Sequence, residues 1–125
     1  MQRRPDWSEY YLLIAHAVAT RGECSRRKVG AVIVKDHSIV STGYNGAPPG
    51  ARSCLDGACP RARSDAEPGR DYAQTGCTVI HAELNAIIRG GRDRVKGATM
   101  YVTEDPCVLC VPLLRAAGIN EVITP

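Results

Sequence analysis

Phenylalanine is absent, and the remaining aromatics are one Trp and five Tyr. Leu, Ile, Val and Ala must therefore fill the interior. An aromatic platform for single-stranded nucleic acid has few residues from which to be built. Long apolar runs are missing too, and none approaches the roughly 20 residues that span a bilayer. Arg3 and Arg4 open the chain, but Asp6 and Glu9 place acidic charge directly after them. Leu12 to Ala19 is too short and broken for the apolar core of a secretory signal. Charge of one sign is scarce: 16 Lys and Arg against 13 Asp and Glu leave +3, too little to argue for a polynucleotide partner. The expectation is a cytosolic protein with reduced thiols, whose six cysteines read as metal ligands or catalytic groups before disulfides.

The 125 residues suit one domain spanning 1–125, with enough apolar sequence (44%) for a core. Asp6 followed by Glu9 resembles a capping box, and Trp7, Tyr10 or Tyr11, Ile14 and Val18 recur at helical spacing. A first helix is predicted over 7–21, with Gly22 as its stop. Val29 to Val34 and Ile39 to Tyr44 read as a β-hairpin around a turn at 35–38. From Asn45 to Cys77 there is no periodicity, and a stretch of that length is usually functional or mobile. Ile80 to Arg89 reads as a helix ended by Gly90-Gly91, and 98–103 as a strand. Asp105 and Pro106 open a helix that runs to Ala117, and Glu121 to Thr124 is a last strand. The order α-β-β-loop-α-β-α-β implies an α/β sheet covered by helices.

Two segments carry the chemistry: His81-Ala82-Glu83 and Pro106-Cys107-Val108-Leu109-Cys110. Cys107 and Cys110, three apart at a predicted helix start, put both sulfurs on one face. A helix N-terminus also favours thiolate. With His81 they make three ligands for Zn²⁺ and leave a position open to water, the pattern of a catalytic site. Glu83 is the candidate proton carrier. Either motif alone is weak. Together they form the His-x-Glu and Pro-Cys-x-x-Cys signature of zinc nucleobase deaminases.

The chain resembles the deoxycytidylate deaminases of the cytidine deaminase superfamily from about Trp7 to Ile123. The resemblance is carried by 29–34, Gly43-Tyr-Asn-Gly-Ala-Pro48, His81-Ala-Glu-Leu-Asn-Ala-Ile87, Tyr101-Val-Thr103 and Pro106-Cys-Val-Leu-Cys110. It implies a three-layer α/β/α sandwich with a central mixed sheet, and hydrolysis of deoxycytidylate to deoxyuridylate and ammonia. It also implies that Asn45 hydrogen-bonds the nucleotide and that the Ala82 backbone contacts the base. By itself, Asn45 in a Gly- and Pro-rich loop equally suits an ordinary turn. Relatives with cysteines at similar places imply a second, structural zinc on Cys24, Cys54, Cys59 and Cys77. Disulfides and uncommitted thiols are the competing readings. His16 and His37 read as packing or surface, and would serve as ligands only if one of those cysteines lay too far away.

A nucleotide needs cationic groups at its phosphate. Arg21, Glu23, Arg26, Arg27 and Lys28 carry a net +3 within eight residues, and Arg26 or Lys28 is the expected contact. Arg52, Arg61, Arg63 and Arg70 are balanced by nearby acids and do not read as a basic patch. Family members usually continue past Thr124 with another strand and helix. The chain is expected to be short of that region and of the contacts it makes, and to cover a bare sheet edge by forming a homo-oligomer. Alternative readings are deamination of another base, nucleoside or polynucleotide (cytidine, guanine, a transfer-RNA adenosine), a non-catalytic zinc module, and a Cys-x-x-Cys redox protein.

Overall fold

The computed structural model describes residues 3–57, 59–61 and 79–125. Helix α1, Trp7–Ala19, starts where Asp6 accepts a hydrogen bond from the Glu9 amide at 2.9 Å. It ends two residues earlier than the sequence predicts, with Thr20 as C-cap. Gly22 is required there by space: a Cβ would lie 2.6 Å from Asn45 Oδ1 and 2.9 Å from Lys28 Cβ.

Strand β1, Gly30–Lys35, pairs antiparallel with β2, Ser38–Tyr44, through a tight turn with Asp36 and His37 at positive φ. Strand β3, Thr99–Val102, pairs antiparallel with the other edge of β1, and β4, Glu121–Ile123, lies parallel to β3. The order β2-β1-β3-β4 is a mixed sheet. Helix α2 is Ala82–Gly90, α3 is the short Arg92–Val95, and α4 is Cys110–Ala116. Helix α3 has no counterpart in the sequence reading, since a single turn carries too little periodicity to detect.

Strand β1 is buried from Gly30 to Val34 because both its faces are covered. Val32 and Val34 meet Tyr11 and Ala15 of α1 together with Tyr101. Ala31 and Ile33 meet Ala82 and Ala86 of α2, Met100, Val102 and Leu114. Helices thus lie on both faces, giving the expected three layers.

Gly43 of β2 sits directly under α2. A Cβ there would collide with the Ala82 carbonyl and the Ala86 amide. That close approach anchors the N-terminal end of α2, where the chemistry-bearing motif begins. After β2 the chain is tied to this end by reciprocal backbone hydrogen bonds between Gly46 and Ile80, 3.1 and 2.9 Å. The loop from Asn45 therefore holds more structure than its sequence suggests, including a 3₁₀ turn at Cys54–Asp56 capped by Ser53.

Candidate active site

His81 is the N-cap residue of α2 rather than part of the helix, with extended backbone. Asn85, one turn on, donates to the Tyr44 carbonyl at 2.9 Å and the Ile80 carbonyl at 3.3 Å. These bonds fix the start of α2 against the end of β2. Ala82 is fully buried, and Glu83 is 4% exposed.

Pro106 and Cys107 precede α4 instead of opening it. The Cys107 carbonyl accepts from the Cys110 amide at 3.0 Å and the Val111 amide at 3.2 Å, so the two cysteines bracket a turn that leads into the helix. Both sulfurs still converge. His81 Nδ1 is 3.2 Å from Cys110 Sγ and 3.5 Å from Cys107 Sγ, and the two sulfurs are 3.8 Å apart. Tetrahedral zinc, with bonds of about 2.3 Å to sulfur and about 2.0–2.1 Å to nitrogen, sets sulfurs roughly 3.8 Å apart and sulfur roughly 3.5 Å from nitrogen. The donor set fits zinc in both kind and spacing. Among the described residues it is the one cluster of three or more His, Cys, Asp or Glu donors all within 4.8 Å of one another.

The electrostatics agree. Burial pushes the Cys110 thiol well above its ordinary range, and the neighbouring Glu83 carboxylate and Cys107 push it further. A thiolate there needs a cation. Burial also holds His81 below the ordinary imidazole value, with Arg27 and Arg61 acting the same way and Glu83 opposing. A neutral imidazole is the form that binds metal.

His81, Glu83 and Cys107 line a cavity of about 210 Å³. Asn45 and Ala82, both predicted to meet the nucleotide, line it too. Asn45 is 7% exposed and partly occupied. Its Oδ1 accepts from the Val29 amide at 2.9 Å, and its Nδ2 donates to the Arg27 carbonyl at 3.0 Å. One amide proton and one lone pair stay available to a ligand, so the turn role leaves room for a binding one.

Of the two predicted phosphate contacts, Arg26 lines the cavity. Lys28 is exposed and absent from the lining. Arg27, Arg61 and Glu104 line it as well, and the sequence reading assigned none of them. The basic segment precedes β1 without strand alternation, so no local pattern separates position 26 from 27 or 28. Glu104 had one signal, its place directly after the Tyr-Val-Thr motif.

Cys24, Cys54 and Cys59 gather beside Val79 in a small buried cluster. The Ser25 amide donates to Cys54 Sγ at 3.3 Å, and the Arg26 amide to Cys24 Sγ at 3.4 Å. Burial raises the Cys54 thiol, as do Cys24 and Cys59 beside it. Cys77 lies outside the described residues. His16 and His37 are exposed, His37 against the Trp7 ring at 4.7 Å.

The family model of the cytidine and deoxycytidylate deaminase zinc-binding region matches residues 5–125. The chain is 51% identical to the deoxycytidylate deaminase of Mycobacterium phage D29, over 98% of this chain and 96% of that one. It is 42% identical to the human deoxycytidylate deaminase, over 94% of this chain and 64% of the human protein. The dCMP deaminase of cyanophage S-TIM5, solved with dCMP and dUMP, superposes with a TM-score of 0.75 at 28% identity, covering 98% of this chain and 83% of that one. With its zinc-ligand geometry, overall fold and sequence all in agreement, the chain belongs to the cytidine and deoxycytidylate deaminase family.

Proposed function

We infer that the protein is a zinc-dependent deoxycytidylate deaminase that hydrolyses deoxycytidylate to deoxyuridylate and ammonia. The observation that carries this reading is the His81, Cys107, Cys110 triangle at zinc-ligand spacing, with Glu83 buried beside it in the cavity. The 51% identity to a phage deoxycytidylate deaminase sets the substrate.

Those three residues would hold zinc, which when bound would supply acidity and lower the pKa of a water to roughly 7. The chain's own groups do the rest. Glu83 takes a proton from the attacking water, delivers it to ring N3, then takes the proton of the new C4 hydroxyl and passes it to the departing amine as the C4 carbonyl forms. The C4–O bond forms and the C4–N4 bond breaks. Val29 and Val79 give the cavity apolar walls, and the fully buried Ala82 presents its backbone to the base. Asn45 offers its remaining donor and acceptor to the nucleotide. Arg26 meets the 5′-phosphate, for which a planar guanidinium is suited.

Cys24, Cys54 and Cys59, with Cys77, hold a second, structural zinc. The packing of Cys24, Cys54 and Cys59 into one cluster and the two amide bonds to sulfur support this reading, with the three sulfurs spaced more widely than the 4.8 Å that the His81 triangle meets. Cys54→Ser then lowers zinc from about two ions per chain to about one by atomic emission. Retention of the same zinc content in that variant excludes the second site. The protein works in the cytosol as a homo-oligomer. The short edge strand at β4 supports the oligomer, and six cysteines read as metal ligands support the compartment.

An ammonia-release assay over cytosine, deoxycytidine, deoxycytidylate, cytidylate, guanine and adenosine tests the reaction. Deoxycytidylate is expected to dominate. Equal rates with deoxycytidine remove the phosphate contact, and a preference for guanine or adenosine overturns the reading.

A further inference from the structure

Glu104 is placed at the cavity wall, directly after the Thr103 that ties the end of β3 to β1. Thr103 accepts from the Gly30 amide at 3.2 Å and donates its own amide to the Gly30 carbonyl at 3.0 Å. The Glu104 backbone position is therefore rigid. Its side chain lines the same cavity as Asn45, His81 and Glu83. One carboxylate oxygen, Oε2, faces Arg27 Nε at 3.5 Å, an ion-pair distance without a hydrogen bond. It is the one buried side-chain oxygen or nitrogen without a hydrogen-bond partner among the described residues. The side chain as a whole is 40% exposed, so the exposure belongs to the rest of the group. Arg27 thus balances the charge and leaves the carboxylate's acceptor capacity unspent.

An unsatisfied carboxylate in a binding cavity calls for a donor. Ionised, it can only accept. At neutral pH a deoxycytidylate carries two kinds of donor, the N4 amine and the 3′-hydroxyl. The amine is engaged at the Glu83 end of the cavity. Building on the deaminase reading, we infer that Glu104, held by Arg27, reads the free 3′-hydroxyl of the nucleotide and so determines specificity for mononucleotides. A 3′-phosphodiester has no proton to give there and would set its own negative charge against the carboxylate. This chemistry rejects an internal residue of a polynucleotide without any steric gate.

The test compares deoxycytidylate, 2′,3′-dideoxycytidylate and deoxycytidine 3′,5′-bisphosphate in the zinc-loaded protein. A hydrogen bond to a charged group amounts to roughly 10- to 100-fold in kcat/KM. The native protein is expected to prefer deoxycytidylate over the dideoxy analogue by that factor, chiefly through KM, and to use the bisphosphate still less. Glu104→Gln should collapse both preferences, and Glu104→Asp should restore part of them. Native protein that turns over deoxycytidylate without discriminating at the 3′ position overturns this inference and leaves the deaminase reading standing. Native protein inactive on deoxycytidylate overturns both. Should Glu104→Gln fold poorly, Arg27→Gln probes the same pair. An unchanged 3′ preference in a folded variant of either residue excludes the role.

Discussion

Glu83 lies against Cys110 and is almost fully buried, yet it is not needed to complete the metal triangle. Glu83→Gln should therefore keep zinc at the His81 site and lower kcat by roughly 10²- to 10⁴-fold, the range for a lost proton carrier. Zinc analysis beside an ammonia assay checks this, and loss of the metal together with activity would assign Glu83 a structural role. Cys110 permits a second expectation, for the metal-free protein. Its folded thiol is held above its unfolded value by burial. A raised pKa stabilises the fold fully below the unfolded value, about 8.5, and that contribution is lost as pH rises toward the folded one. Chelated protein should thus lose melting temperature as pH rises above about 8.5, while the zinc-loaded form, whose thiolates are already ionised, should lose less. Calorimetry at matched ionic strength measures the difference.

At the scale of elements, the site depends on how α2 rests on β2. Gly43 leaves no room between that strand and the Ala82 and Ala86 backbone. Gly43→Ala must push the helix outward, carrying His81 and Glu83 away from Cys107 and Cys110. Overpacking of this kind costs about 1–3 kcal/mol. Urea denaturation should show a lower midpoint at unchanged slope, together with weaker zinc retention. A variant with native zinc content and stability would show that α2 has slack the close packing hides. The neighbouring turn behaves differently. Cys107 and Cys110 precede or open α4 and are held by two hydrogen bonds to one carbonyl. The spacing of the two sulfurs is set by that turn and not by helical periodicity.

Across the whole molecule, Val108, Leu109, Val111 and Leu113 present apolar side chains around α4, and Val108 is 78% exposed. Strand β4 leaves a second uncovered surface, a sheet edge of three residues. A homo-oligomer should cover this region. Light scattering is expected to return an integer multiple of the chain mass, and Val108→Lys to shift it downward. A monomeric native protein would remove the oligomer from the reading. No described helix is long and apolar enough to cross a membrane, in keeping with the broken hydropathy of the N-terminal third.

The elements and the metal ligands were legible because their information is local. Val29 to Val34 is an uninterrupted apolar run because β1 is sandwiched on both faces. His81, Glu83, Cys107 and Cys110 stand in two short motifs whose chemistry depends on residue type and close spacing. What tertiary structure alone decided is the company these residues keep. Antiparallel pairing of Ala31 with Val102 brings the segment before β1 next to the segment after β3. That pairing puts Arg27 beside Glu104, residues far apart in the sequence, and leaves Lys28 facing outward. Side-chain direction in those non-periodic segments depends on contacts made across the sheet, and no window of neighbouring residues contains them.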